Sequence, residues 1–81
     1  MRIEVLFFAE FKEIFGPSRL VEAAEGTSIE KIVDLIAEES REFFLKKSFF
    51  LYAVNENFED GETVLKDKDK LAIMTPMAGG S

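Results

Sequence analysis

The chain of 81 residues has no Cys and no His, carries a formal net charge of −6 and is 47% hydrophobic, with nine Phe. Without thiols or imidazoles it has no disulfide, no thiolate metal site, no cysteine nucleophile and none of the commonest general base, so an enzyme complete in itself would depend on carboxylates, lysines, one tyrosine and hydroxyls. The acidic balance argues against nucleic acid and anionic membranes, which favour basic surfaces, and the length allows one domain held together by burial alone.

Arg2 to Ala9 opens with alternation and then becomes continuously apolar, the pattern of a strand whose later half is buried on both faces. Phe11, Ile14 and Phe15 form the stripe of a short helical turn, which Gly16-Pro17 ends. Arg19 to Ala23 reads as a second strand, antiparallel to the first. Thr27, with Glu30 three residues on, has capping-box spacing and predicts a helix start. Ile29, Ile32, Val33, Ile36 and Ala37 then recur at helical spacing, and the charges between them form a solvated face.

Ser40 to Ser48 fits either a helix extension or a cap on the open edge of the core. Phe49 to Val54 reads as a central strand, Asn55-Glu56-Asn57 as a turn, and Phe58 to Leu65 as an edge segment and loop. The alternating charges of Lys66 to Lys70 form a solvated turn, because the spacing lacks the ligands and glycine of a calcium loop. No metal site is expected. Leu71 to Met74 is a last apolar strand that should lie beside the first. The order predicts an α+β fold, a ubiquitin-like roll in which one main helix crosses a mixed sheet over residues 1–74. Met1 to Glu4 does not read as a signal peptide, and no apolar run could span a bilayer, which fits a cytoplasmic protein.

Residues 75–81, Thr-Pro-Met-Ala-Gly-Gly-Ser, are expected to form a flexible tail. Fully extended, the segment would reach roughly 20–25 Å, far enough to thread a partner's active site. In a chain without Cys or His, a glycine carboxylate is the remaining unusual electrophile. Activation by ATP would make it a mixed anhydride, and the absent Cβ exposes the carbonyl and lets the backbone pass a narrow channel.

Val5-Leu6-Phe7-Phe8-Ala9-Glu10-Phe11-Lys12-Glu13, Ala53-Val54-Asn55, Leu65 to Asp69 and Pro76-Met77-Ala78-Gly79-Gly80 resemble the corresponding segments of the MoaD/ThiS group of ubiquitin-like sulfur carriers, on the branch of the molybdopterin synthase small subunits. The resemblance runs nearly end to end. It implies a β-grasp fold and a terminal glycine, here Gly80 with Gly79 as its neighbour, that a ubiquitin-activating-type enzyme adenylates with ATP. A sulfur donor protein then converts it to a thiocarboxylate, and the large synthase subunit takes up the tail so that sulfur passes to a pterin precursor for molybdenum or tungsten. The chain itself would bind no cofactor.

The same resemblance places Phe7, Ile73 and Met74 at apolar partner-binding positions, although a core role fits them equally, and Lys12 near the partner face. Pro76, Met77 and Ala78 would enter the partner with the glycines. Three departures stand out: Ser81 beyond the diglycine, Lys68 where a glycine is common, and Glu56-Asn57 in place of an Asn-Gly turn. A native Ser81 would need a protease to remove it, whereas an added one would leave Gly80 as the natural end. The alternatives are a carrier for thiamine or another thiolated product, a modifier conjugated to lysines, and an interaction domain without sulfur chemistry.

Overall fold

The computed structural model describes residues 1–76, so the expectations for Met77, Ala78, Gly79, Gly80 and Ser81 lie outside it. The strands are β1 (Arg2–Phe7), β2 (Ser18–Glu22), β3 (Leu51–Val54), β4 (Asn57–Glu59) and β5 (Lys70–Met74), and the helices are α1 (Ala9–Phe15), α2 (Ile29–Ala37) and α3 (Arg41–Lys46), followed by a 3₁₀ turn at Lys47–Phe49. They build one mixed sheet in the order β2-β1-β5-β3-β4. The first and last strands lie parallel at its centre, and every other pairing is antiparallel. With α2 laid across one face, this is the β-grasp roll that the element order predicts.

Ile3, Val5 and Phe7 of β1, Leu71 and Ile73 of β5, and Ile29, Ile32, Val33 and Ile36 of α2 are buried against one another. Phe43 of α3 closes one end of this core. Its ring centre lies 4.7 Å from Phe50, 5.0 Å from Phe11 and 5.4 Å from Phe15. Ser40 sets up the insertion by accepting the Phe43 N–H at 3.2 Å, as an N-cap does. The ambiguous 40–48 stretch is therefore a short helix whose apolar residue is a plug.

Two local expectations are corrected. The α2 cap is Ser28, which accepts the Lys31 N–H at 3.4 Å, while the Thr27 hydroxyl donates to the Ala24 carbonyl at 2.6 Å. With the cap one residue later, Glu30 falls at the second helical position and cannot close the box; it lies over Gly61, where an added Cβ would meet its Cγ at 2.5 Å. The later half of β1 is also not buried on both faces, because Phe8 is 46% exposed. Only one face of the sheet has a helical layer, so the unbroken apolar run marks a second apolar face without a second cover.

Candidate functional site

Strand parity builds this surface. Side chains alternate between the faces of a sheet, so with Phe7 and Ile73 pointing into the core, Leu6, Ala72 and Met74 must point away from it. The register sets these outward residues side by side: Leu6 opposite Ala72, Ala72 opposite Ala53, Leu51 opposite Met74, and Phe58 opposite Ala53. Leu6, Ala53, Phe58, Ala72 and Met74 line an open groove of about 620 Å³ with Phe8, whose rim includes Asn55, Glu56 and Lys70. Phe58 is 74% exposed, which is unusual for so large an apolar ring on a domain of this size.

The chain end leaves beside this groove. The Phe7–Ile73 pairing places Phe8 next to Met74, after which Thr75 and Pro76 continue outside any strand. Pro76 has no N–H to extend the ladder, which frees the chain from the sheet at that point. Just past the neighbouring strand, Ala9 at the start of α1 takes a φ of +51°, a left-handed conformation that costs an alanine on the order of 1–3 kcal/mol. The backbone turns there into α1 and leaves the Phe8 ring on the open face. Across the helical layer, Glu10 of α1 pairs with Lys46 of α3, which lowers the pKa of the carboxyl and raises that of the ammonium through their hydrogen bond.

At the opposite end of β5 the alternating-charge turn is a bracket for the strand. Asp67 accepts the Arg2 N–H at 2.7 Å, and Lys68 donates to the Arg2 carbonyl at 2.8 Å. Asp69 accepts the Lys66 N–H and the Asn55 side-chain amide, at 2.8 and 2.9 Å, and Asn55 accepts the Lys70 N–H at 3.0 Å. The carboxylates are thus committed to the fold, and the Arg2 N–H is the main cause of a lowered Asp67 pKa. Lys68 bears a φ of +72°, so the turn keeps the shape that suits glycine. Asn55 and Glu56, at φ +50° and +73°, do the same for the β3–β4 hairpin, as a type I′ turn demands.

Of the residues expected to meet partners, Met74 lies on the open face and Pro76 is exposed at the chain's exit. Lys12 is exposed on α1, and its ammonium forms no ion pair among the described residues. Phe7 and Ile73 are corrected: at 2% and 0% exposure they belong to the core, because their strand positions face α2. Leu6, Phe8, Phe58 and Ala72 lie with Met74 on the open face instead. Their signal in the sequence was parity, since an inward Ile3-Val5-Phe7 series leaves Leu6 and Phe8 outward and apolar.

A mixed sheet in this strand order with one main helix across it defines a ubiquitin-like β-grasp domain. Comparison with known proteins narrows the class. The model of the ThiS family matches residues 5–80. The chain is 31% identical over 80 residues to the molybdopterin synthase sulfur carrier subunit of Escherichia coli (strain K12), covering 96% of this chain and 99% of that one. Among solved structures, the Haloferax volcanii HVO 2177 protein matches in fold at a TM-score of 0.85 with 24% identity, covering 99% of this chain and 87% of that one. A chain in the complex of subunits 1 and 2 of molybdopterin-converting factor from Helicobacter pylori 26695 matches at a TM-score of 0.68 with 26% identity, covering 99% of this chain and 100% of that one. The chain belongs to the ThiS family, in its broader MoaD/ThiS grouping.

Proposed function

We propose that this chain is a sulfur carrier acting as the small subunit of a molybdopterin synthase. The observation that carries the reading is the bare apolar face of β1, β3, β4 and β5, with the chain end leaving beside Met74 toward a diglycine. The match to a curated sulfur carrier subunit over nearly the whole chain supports the same reading.

In this scheme the Gly80 carboxylate attacks the α-phosphorus of ATP on an adenylating enzyme of the ubiquitin-activating type. Pyrophosphate leaves and an acyl-adenylate remains. A sulfide equivalent from a donor protein attacks the carbonyl, AMP leaves, and Gly80 ends as a thiocarboxylate. The large synthase subunit receives the tail, and the sulfur passes to a pterin precursor. Gly79 and Gly80 carry no side chain to obstruct the channel, and Pro76, Met77 and Ala78 occupy its entrance. Leu6, Phe8, Phe58 and Met74 form the docking face, with Lys12 available for an acidic group at its margin. In the chain as given, Gly80 is joined to Ser81, so hydrolysis of that peptide bond must come first. ATP belongs to the activating partner, and the work is cytoplasmic; no helix of the described residues is long and apolar enough to cross a membrane.

The test is intact mass after incubation with ATP, the adenylating enzyme and the sulfur donor. A chain ending at Gly80 should exchange one carboxylate oxygen for sulfur, and a chain retaining Ser81 should not change. No exchange in the form ending at Gly80 would overturn the proposal.

A further inference from the structure

A second groove, part apolar and part charged, lies on the helical side of the sheet. It has a volume of about 350 Å³ and runs between α2, α3 and the 3₁₀ turn down to Tyr52 of β3. Its apolar wall is Phe44 and Leu45, which are 54% and 59% exposed although their neighbour Phe43 is fully buried. The core therefore has no use for them. Tyr52 lines it from β3, half-buried.

The groove is acidic. Glu30 and Asp34 line it from α2, one turn apart on the same flank. Lys47 is the cation among the lining residues, and it is already committed: its ammonium lies 2.5 Å from Asp34 and 5.4 Å from the centre of the Phe44 ring. Glu30 has no ion pair among the described residues, and its carboxylate is solvent-facing. The Tyr52 phenol feels the same field, since burial first and then Glu30 and Asp34 push its pKa up.

We propose that this groove docks a basic, amphipathic segment of a partner protein, with apolar side chains over Phe44 and Leu45 and Lys or Arg side chains toward Glu30 and Asp34. Charge decides the occupant. A second copy of this chain would bring its own charge of −6 against the unpaired Glu30 carboxylate, whereas a basic segment gains from Glu30 and, where it displaces Lys47, from Asp34, and can accept from the Tyr52 hydroxyl through a backbone carbonyl. The groove opens on the helical side of the sheet, opposite the face to which Leu51 and Met74 point, so a protein held there leaves the open face available. The inference rests on the groove's own chemistry and stands whether or not Gly80 carries sulfur.

The experiment uses the full ¹⁵N-labelled chain and two synthetic helical peptides that differ only in their polar residues, one Leu/Lys and the other Leu/Glu. The Leu/Lys peptide should shift the amides of Asp34, Phe44, Leu45 and Tyr52, leave those of Leu6, Phe8 and Met74 in place, and bind at least tenfold tighter than the Leu/Glu peptide. Leu45→Asp and the double variant Glu30→Lys/Asp34→Lys should each weaken it at least tenfold while the remaining amide spectrum stays native, and these exposed positions can change without loss of fold. Shifts on the open sheet face, equal binding of the two peptides, no binding, or groove shifts that appear on raising protein concentration alone would each overturn the proposal; the last would assign the groove to a second copy.

Discussion

The two faces of the central sheet are built from the same strands, yet one is apolar and covered while the other joins an apolar end, at Leu6, Ala72 and Met74, to a charged end, at Arg2, Glu4 and Lys70. On the covered face, Ile3, Val5, Leu71 and Ile73 are 0% exposed against α2. On the open face, Leu6, Phe8, Ala72 and Met74 meet no helix. The difference teaches that apolar character alone does not mark a core residue. What assigns the role is whether a second layer exists on the side to which parity points. A solvent face of an antiparallel or mixed sheet is ordinarily polar, so an apolar stretch on it is what the proposed docking requires.

The sharpest way to break that comparison is to truncate neighbours on β5. Ile73→Ala should cost about 2–5 kcal/mol, because it leaves a cavity between the sheet and α2. In a domain whose whole stability is of order 5–15 kcal/mol, the change should be plain in urea or thermal unfolding. Met74→Ala, one residue on, should cost under about 1 kcal/mol. Equal losses at the two positions would mean that the open face is structurally covered after all. On the binding side the order should reverse: Phe8→Ala should weaken docking of a large synthase subunit by at least tenfold, about 1.4 kcal/mol, with little change in melting.

Much of this was legible beforehand. The order of elements, the central β1–β5 pair and the buried stripe of α2 follow from alternation and helical spacing, because a sheet and one helix leave a chain this short few ways to bury its apolar stripes. The plug role of Phe43 was not legible, since Phe43, Phe44 and Leu45 are chemically alike and only the Ser40 cap settles which one turns inward. Phe7 and Ile73 were equally consistent with core and partner roles. Strand parity resolves them, but it needs the side on which α2 lies, which no local pattern supplies. The Thr27 cap failed because Thr27 and Ser28 are both good caps, and the Ala24 carbonyl claims the first hydroxyl.

The bracket at the far end of β5 offers a smaller effect. Lys68→Gly should stabilise the fold by about 1 kcal/mol, because φ +72° strains a lysine and suits glycine, and urea midpoints would measure it. A loss of stability would mean that the Lys68 side chain contributes more than its backbone costs. The smallest effect concerns pH. Asp67 has a lowered folded pKa, so its contribution is present above the ordinary aspartate range and fades as the pH falls through the folded value. Asp67→Asn should therefore be less stable than the parent at neutral pH, and the gap should close on acidification below about pH 4. A gap that widens there would contradict the assignment.

The account's central claim is that the open face beside the chain end is a docking surface with no part in holding the domain together. Met74→Asp tests it most directly, with affinity for the large synthase subunit and melting temperature read on the same sample. The account predicts at least a tenfold loss of affinity with a melting curve close to the parent's. Undiminished affinity with a folded variant would contradict it.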